Sequence, residues 1–412
     1  MSNFYNKVAL DTDSANFDAF ARLRTSEPQT IFDSKQIHNA GGLLWDDQEV
    51  SGSGTSSTWS QQNAHVDMAV TANTAGKRIR QTYMRFNYQP GKSQLVLLTG
   101  YLNNPTATGV QRCMGLFDDN NGIFAKNDNG TIKFVVRSSV SGSVVDTEVA
   151  QSDWNIDKMD GSGNSGITLD GSKSQILIID FEWLGVGRVR MGWVINGIPI
   201  YTHQFLHANV GTSVYMSTPN LPIRYEIEND GTGEAASVYH ICSTIISEGG
   251  QQDIGVTHAA STEAEHINAN TAGTYYAVFG IRLKSANLDG IVKLERINVL
   301  IDTADDFHWE IRMNPTVAGT PVWASHGTHS VIDQATGDTA GSPSVTVITG
   351  GHVIDSGYVK AGNNTGSVAL TTRSQLRLGS AIDGTPDELW LIAMPLSSNA
   401  DIHGGLSWQE VS

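Results

Sequence analysis

Helical periodicity is almost absent from this chain, and that constrains the fold more than any other feature. What recurs is a short run of alternating apolar and polar residues, closed by turn chemistry. Asn121-Gly122, Asn129-Gly130 and Asn196-Gly197 offer the positive φ angles of tight hairpins. Asp160-Gly161, Asp170-Gly171, Asp230-Gly231, Asp289-Gly290 and Asp383-Gly384 add further turns. Only a stretch near Ser14 to Leu23 is compatible with a short helix. The expected fold class is all-β: two antiparallel β-sandwich, jelly-roll-like domains preceded by an extended N-terminal arm.

One region reads strand by strand. Leu177, Ile179, Phe181 and Trp183 share a face, as do Val189, Met191, Trp193 and Ile195. A turn at Leu184–Arg188 sets Trp183 opposite Val189 and Phe181 opposite Met191. It also places Glu182 opposite Arg190, a cross-strand pair of about 0.2–1 kcal/mol. Asn196-Gly197 turns the chain again, so that Ile198 and Ile200 extend the dry face of a three-strand meander. Further strands are expected at Thr82–Tyr88, Gln94–Tyr101, Thr131–Arg137, Pro222–Glu228 and Ser237–Ser247. After a polar break at 248–253, a second set begins near Thr274, with Tyr275, Ala277, Phe279, Ile281 and Leu283 on one face. Ile291–Asp302, Phe307–Met313, Glu388–Met394 and Leu406–Val411 complete it.

The first 60 residues differ. Scattered apolar anchors precede a Gly/Ser/Thr tract at 49–60, the pattern of an arm and a flexible tether. The expected organisation is therefore arm and tether over 1–62, a first sandwich over 63–250 and a second over 251–412. Trp45 and Trp59, lying outside the sandwiches on this reading, are candidate interface anchors.

Composition removes several function classes. Of 412 residues, 42 are acidic and 26 basic, a net charge of −16 that opposes a phosphate backbone, so no nucleic-acid partner is expected. No apolar run approaches the length of a membrane helix, so no membrane partner is expected. The start (Met1-Ser2-Asn3-Phe4-Tyr5) lacks a basic-then-apolar pattern, so Sec-type secretion is not expected. Two cysteines, Cys113 and Cys242, cannot build a disulfide framework or a four-ligand zinc site, and both read as buried thiols.

Few constellations suggest chemistry. Ile178-Ile179-Asp180-Phe181-Glu182-Trp183-Leu184-Gly185 resembles the strand motif of laminarinase-type glycoside hydrolases. Asp180 and Glu182 match the central acid and the acid/base, but Ile178 stands at the nucleophile's position, and a retaining glycosidase needs both carboxylates. His203 and His207 are four apart, a helix spacing on a strand, which favours a solvated His203. His326 and His329 lie in a Gly/Thr loop without an acidic neighbour. Asp153, Asn155 and Asp157 begin like a calcium loop, but Lys158 and Asn164 break the pattern. No metal, cofactor or catalytic residue is expected.

A resemblance supplies what these patterns lack. Phe17-Asp18-Ala19-Phe20-Ala21-Arg22-Leu23-Arg24-Thr25-Ser26-Glu27-Pro28-Gln29-Thr30-Ile31-Phe32-Asp33-Ser34-Lys35-Gln36 resembles the N-terminal segment of a family of tailed-bacteriophage virion proteins. Runs similar to Arg137–Ser143, Gln151–Asn155, the Ile179–Tyr201 meander and Tyr215–Pro222 occur in the same family. The resemblance implies a non-enzymatic structural component of a virion, as capsid decoration or as a fibre or baseplate protein. It implies other virion proteins as partners and a homo-oligomer, with a trimer favoured. Docking would fall to Phe17, Phe20, Arg22, Leu23, Arg24, Ile31 and Phe32. The alternatives are an adhesin recognising host surface glycan and, less favoured, a laminarinase-like depolymerase.

Overall fold

The computed structural model describes residues 25–102, 108–301, 305–337, 347–360, 366–369, 377–397 and 400–411. The chain is all-β, built from antiparallel sheets. The first sandwich comprises β1 (Pro28–Lys35), β2 (Trp45–Gly52), β3 (Thr55–Ser60), β4 (His65–Val70), β5 (Gly76–Thr82), β6 (Ser93–Tyr101), β7 (Val110–Phe117) and β8 (Gly122–Asp128). It continues through β9 (Thr131–Ser138), β10 (Val145–Ala150), β11 (Gln175–Phe181), β12 (Val189–Ile195), β13 (Ile198–Phe205), β14 (Ile223–Asn229) and β15 (Ala236–Glu248). One sheet runs β13-β12-β11-β6-β15-β4-β3, with β1 also on β15; the other runs β10-β9-β8-β7-β14-β5-β2. Alternation does the packing: Val96, Leu98, Leu177, Ile179 and Phe181 of the first sheet meet Met114, Leu116, Phe134 and Tyr225 of the second in one core.

The meander forms where expected, but in a different register. Ile179 pairs with Met191 and Phe181 with Val189, so Asp180, not Glu182, faces Arg190. The loop lies one residue earlier, over 183–187. Glu182 N–H donates to Arg188 O at 3.0 Å and Gly187 N–H to Trp183 O at 2.8 Å, while Leu184 and Gly185 take positive φ angles. A shift of two residues preserves the alternation, so the predicted faces of β11 and β12 hold although the partners change. Ile198, expected on the dry face, is instead 65% exposed at the hairpin end of β13. Asn129-Gly130 and Asn196-Gly197 both carry the positive φ pair of a tight hairpin turn.

The expected arm and tether over residues 28–60 is not seen. These residues form β1, β2 and β3, which pair with β15, β5 and β4. The polar tract is stable there because its side chains satisfy one another: Thr55 Oγ1 donates to Glu49 at 2.6 Å and Ser57 Oγ to Asp47 at 2.9 Å, with Arg78 Nε reaching Asp47 at 2.7 Å. Thr82–Tyr88, expected as a strand, is irregular beyond Thr82. Its backbone turns to other partners: Tyr83 N–H donates to Leu44 O, and Phe86 N–H to Leu221 O.

The second sandwich has the same logic. Gly255–Ser261, Ala400–Val411, Ile291–Ile301 and Gly366–Ala369 form one sheet in that order, with Ile267–Ala269 also on Ala400–Val411. The other runs Ala324–Ser325, Ile332–Thr336, Tyr276–Leu283, Glu388–Pro395, Phe307–Met313, His352–Val359. A bulge at Val278 breaks the single face expected for Tyr275–Leu283: Phe279, Ile281 and Leu283 enter the main core, while Ala277 packs with Trp390 on the opposite side.

The sandwiches touch through Tyr83–Met84 and the loop at 379–387. Ser380 N–H donates to Tyr83 O at 3.0 Å, and Ile382 N–H to Asp46 Oδ2 at 2.8 Å. A Cβ at Gly379 would lie 2.0 Å from Tyr83 O, so this contact requires glycine.

Candidate functional site

The residues singled out from sequence occupy different parts of the molecule. Phe17, Phe20, Arg22, Leu23 and Arg24 lie outside the described residues. Phe32 is a core residue, 6.2 Å from Trp45 and 4.9 Å from Phe86 between ring centres, and Ile31 packs against the same core. Phe32 is thereby enclosed by the fold, while Ile31 is half-buried at its edge. Trp45 is likewise a core residue, and Trp59 donates its indole N–H to Gln36 O at 2.8 Å. Their place in β2 and β3 replaces the expected interface role.

The two carboxylates of the hydrolase-like run sit on the outer face of its sheet, while Ile179 and Phe181 of the same run face the core. Asp180 is buried there by an ion pair with Arg190, and Tyr201 Oη donates to it at 3.1 Å. The guanidinium of Arg190 in turn covers the Tyr201 ring at 4.2 Å, and burial beside the carboxylate pushes that phenol up. Ile178 is buried beside it, and Glu182 is exposed, accepting the Arg188 N–H at 3.2 Å. The nucleophile position therefore carries a buried alkyl group, and the central acid is held by two partners.

His203 is buried, not solvated. A bulge at Thr202 turns it inward opposite Met191, where its Nδ1 accepts the Asn155 N–H at 3.2 Å and burial lowers its pKa. His207 stacks on Tyr215 at 4.1 Å. The calcium-like stretch is committed to backbone: Asp157 accepts N–H groups of Met159 and Ser165 at 2.8 and 2.7 Å, and Asn155 exchanges two bonds with Gln204. Among the described residues no group of three or more His, Cys, Asp or Glu side chains is arranged to hold a metal. Cys113 packs with Phe117, Phe124 and Val135 on the outer face of the second sheet, where Arg137 and Arg224 lie over the rings; burial pushes its thiol up.

Concave space lies instead at the junction of the sandwiches. On one side, cavities of about 310 and 720 Å³ share Gly42, Leu43 and His352. Met84 and Met313 give the smaller one its apolar walls, and the buried carboxyl of Asp387 lines its base. Burial raises that carboxyl's pKa, and it accepts from Asn314 Nδ2 at 2.7 Å and Gly379 N–H at 3.0 Å.

On the other side, a cavity of about 430 Å³ is lined by hydroxyl, amide and charged groups. Asp118, buried, accepts Arg85 Nη1 at 2.6 Å and the N–H groups of Asn120 and Asn121, each at 2.8 Å. Arg85 Nη1 also donates to Asn220 O at 3.2 Å. The Asn121 amide donates to Ser217 Oγ at 2.8 Å, and Ser217 lies 3.1 Å from Ser139 Oγ. Leu288 and Asp289 of the second sandwich close the far wall. From its sequence alone, Asn121 is half of an Asn-Gly turn pair. These groups come from positions as far apart as 85 and 289, and no local spacing announces them.

No family model matches the chain, and no curated protein does. Among solved structures, the CBM2 module of the Lactobacillus casei BL23 phage J-1 evolved Dit is 8% identical, with a TM-score of 0.37 over 56% of this chain and 100% of that one. The Emp47p carbohydrate recognition domain is 8% identical (TM-score 0.33; 54% and 97%). The legume lectin-like domain from Entamoeba histolytica is 11% identical (TM-score 0.32; 53% and 98%). These likenesses are distant, and nothing that those proteins bind transfers to this chain.

Proposed function

We propose that the chain is a non-enzymatic structural component of a tailed-phage virion, docked by its N-terminal residues onto capsid or tail with both sandwiches exposed. The supporting observation is how the first sandwich closes on itself from Pro28 onward. With β1, β2 and β3 all paired, Phe32 is buried and Ile31 half-buried against the core, and docking falls to Phe17, Phe20, Arg22, Leu23 and Arg24. The resemblance of that segment to phage virion proteins points the same way. Asp180, tied to Arg190 and Tyr201 beside the alkyl group of Ile178, supports a role in display over hydrolysis. Mass spectrometry of purified particles tests this: the chain is expected at a copy number divisible by three, and its absence from particles contradicts the reading.

A second reading, attachment to a host surface glycan, is favoured by one observation. The hydroxyl- and amide-lined cavity at the junction offers hydrogen-bonding groups of both kinds in a concave wall.

A further inference from the structure

We infer that the junction cavity around Arg85, Asn121 and Ser217 is a binding site for a neutral saccharide, an inference that rests on the attachment reading and gives it a site. The wall charges select the ligand class. Arg85 is matched by the buried Asp118, and Asp289 adds a second carboxylate, so an anion meets net negative charge. A cation meets Arg85 in the same wall, and Asp118 has already spent its oxygens on three donors. A neutral polar ligand remains.

The hydrogen-bond inventory fits a polyol. Ser217 Oγ accepts from Asn121, and the Ser139 and Ser217 hydroxyls share one mutual contact. Two hydroxyls have two protons, so one O–H is left to donate elsewhere. Thr218 Oγ1 accepts the Asn220 N–H at 3.2 Å, which leaves its own proton to donate. Arg85 uses only Nη1 within the protein, among the described residues, so the other edge of its planar fork is available to adjacent hydroxyls. Leu288 supplies an alkyl surface for the C–H face of a sugar ring. Asn121 and Asp118, both buried, are positioning residues: they orient Ser217 and Arg85 and are not themselves free to bond a ligand. Because the walls come from both sandwiches, a bound sugar bridges them.

Saturation-transfer NMR on the full chain tests the site, with D-glucose, D-galactose and N-acetyl-D-glucosamine as probes and triglycine as a neutral peptide comparison. At least one sugar is expected to receive saturation. Thr218→Val should weaken that sugar about tenfold, the loss for one hydrogen-bonding group. Ser285→Trp, at an exposed rim position, should abolish binding while leaving the melting temperature unchanged. No signal from any sugar, binding that survives Ser285→Trp, or an equal signal from triglycine overturns the inference. The assay uses the isolated chain, so its failure removes the site and leaves docking through residues 1–24 untouched. Particles that carry the chain but adsorb to hosts equally well with Ser285→Trp would instead overturn attachment while leaving the site standing.

Discussion

Arg80 Nε donates to His240 Nδ1 at 3.0 Å in the core of the first sandwich. The ring must therefore be neutral, with its proton on Nε2, which reaches Ser243 Oγ at 3.1 Å. Trp45 and Tyr225 flank the imidazole at 4.2 and 4.3 Å, and Arg80 also pairs with Asp47. This contact ties β2, β5 and β15 together, across both sheets.

Burial, followed by the Arg80 charge, holds His240 well below the usual imidazole range. A group whose folded pKa is depressed binds fewer protons in the native state than in the unfolded one. Its contribution is thus present above about pH 6.5 and is lost as pH falls below that value, by up to about 1.4 kcal/mol per unit. Urea unfolding at pH 7.5 and 5.5 should show lower stability at the acid value. His240→Gln should reduce that slope without removing it, because burial lowers His203 and His207 too. An unchanged slope contradicts the assignment.

Trp45 belongs to the same core, with Phe32 and Tyr225 each 6.2 Å away. Trp45→Ala should cost about 3–5 kcal/mol in denaturant unfolding. An interface anchor would instead lose less than about 0.5 kcal/mol in the isolated chain.

Much of this was legible in the residues. Alternation identified the inward faces of β11 and β12 and placed strands at β6, β9 and β15, and Asn-Gly pairs located two hairpins. Alternation has a period of two, however, so it left the β11–β12 register open by two residues. The bulges at Thr202 and Val278 add one residue without a compositional sign, and each reverses the faces beyond it. Residues 49–60 read as a tether because Ser, Thr and Gly dominate them. Their pairing depends on Arg78, Asp47 and Glu49, whose convergence is tertiary. The junction cavity was invisible for the same reason.

Gly379 holds the sandwiches in contact. Gly379→Ala sets a methyl group against Tyr83 O and should cost about 1–3 kcal/mol. Calorimetry should then resolve two transitions where the parent chain is expected to melt in one; a single unshifted transition contradicts the junction's role.

Asp180 and Glu182 separate structure from catalysis. Asp180→Asn leaves Arg190 without its charge partner and should cost about 1–3 kcal/mol. Glu182→Gln, at an exposed position, should change stability by less than about 0.5 kcal/mol. Hydrolysis of a β-glucan by the parent chain that disappears in Glu182→Gln would contradict the non-enzymatic reading.

Removing residues 1–24 tests docking most directly, because every described strand pairing begins at Pro28 or later. The truncated chain should unfold at the same denaturant midpoint as the full chain and yet be missing from assembled particles. Incorporation at the full copy number would contradict the account.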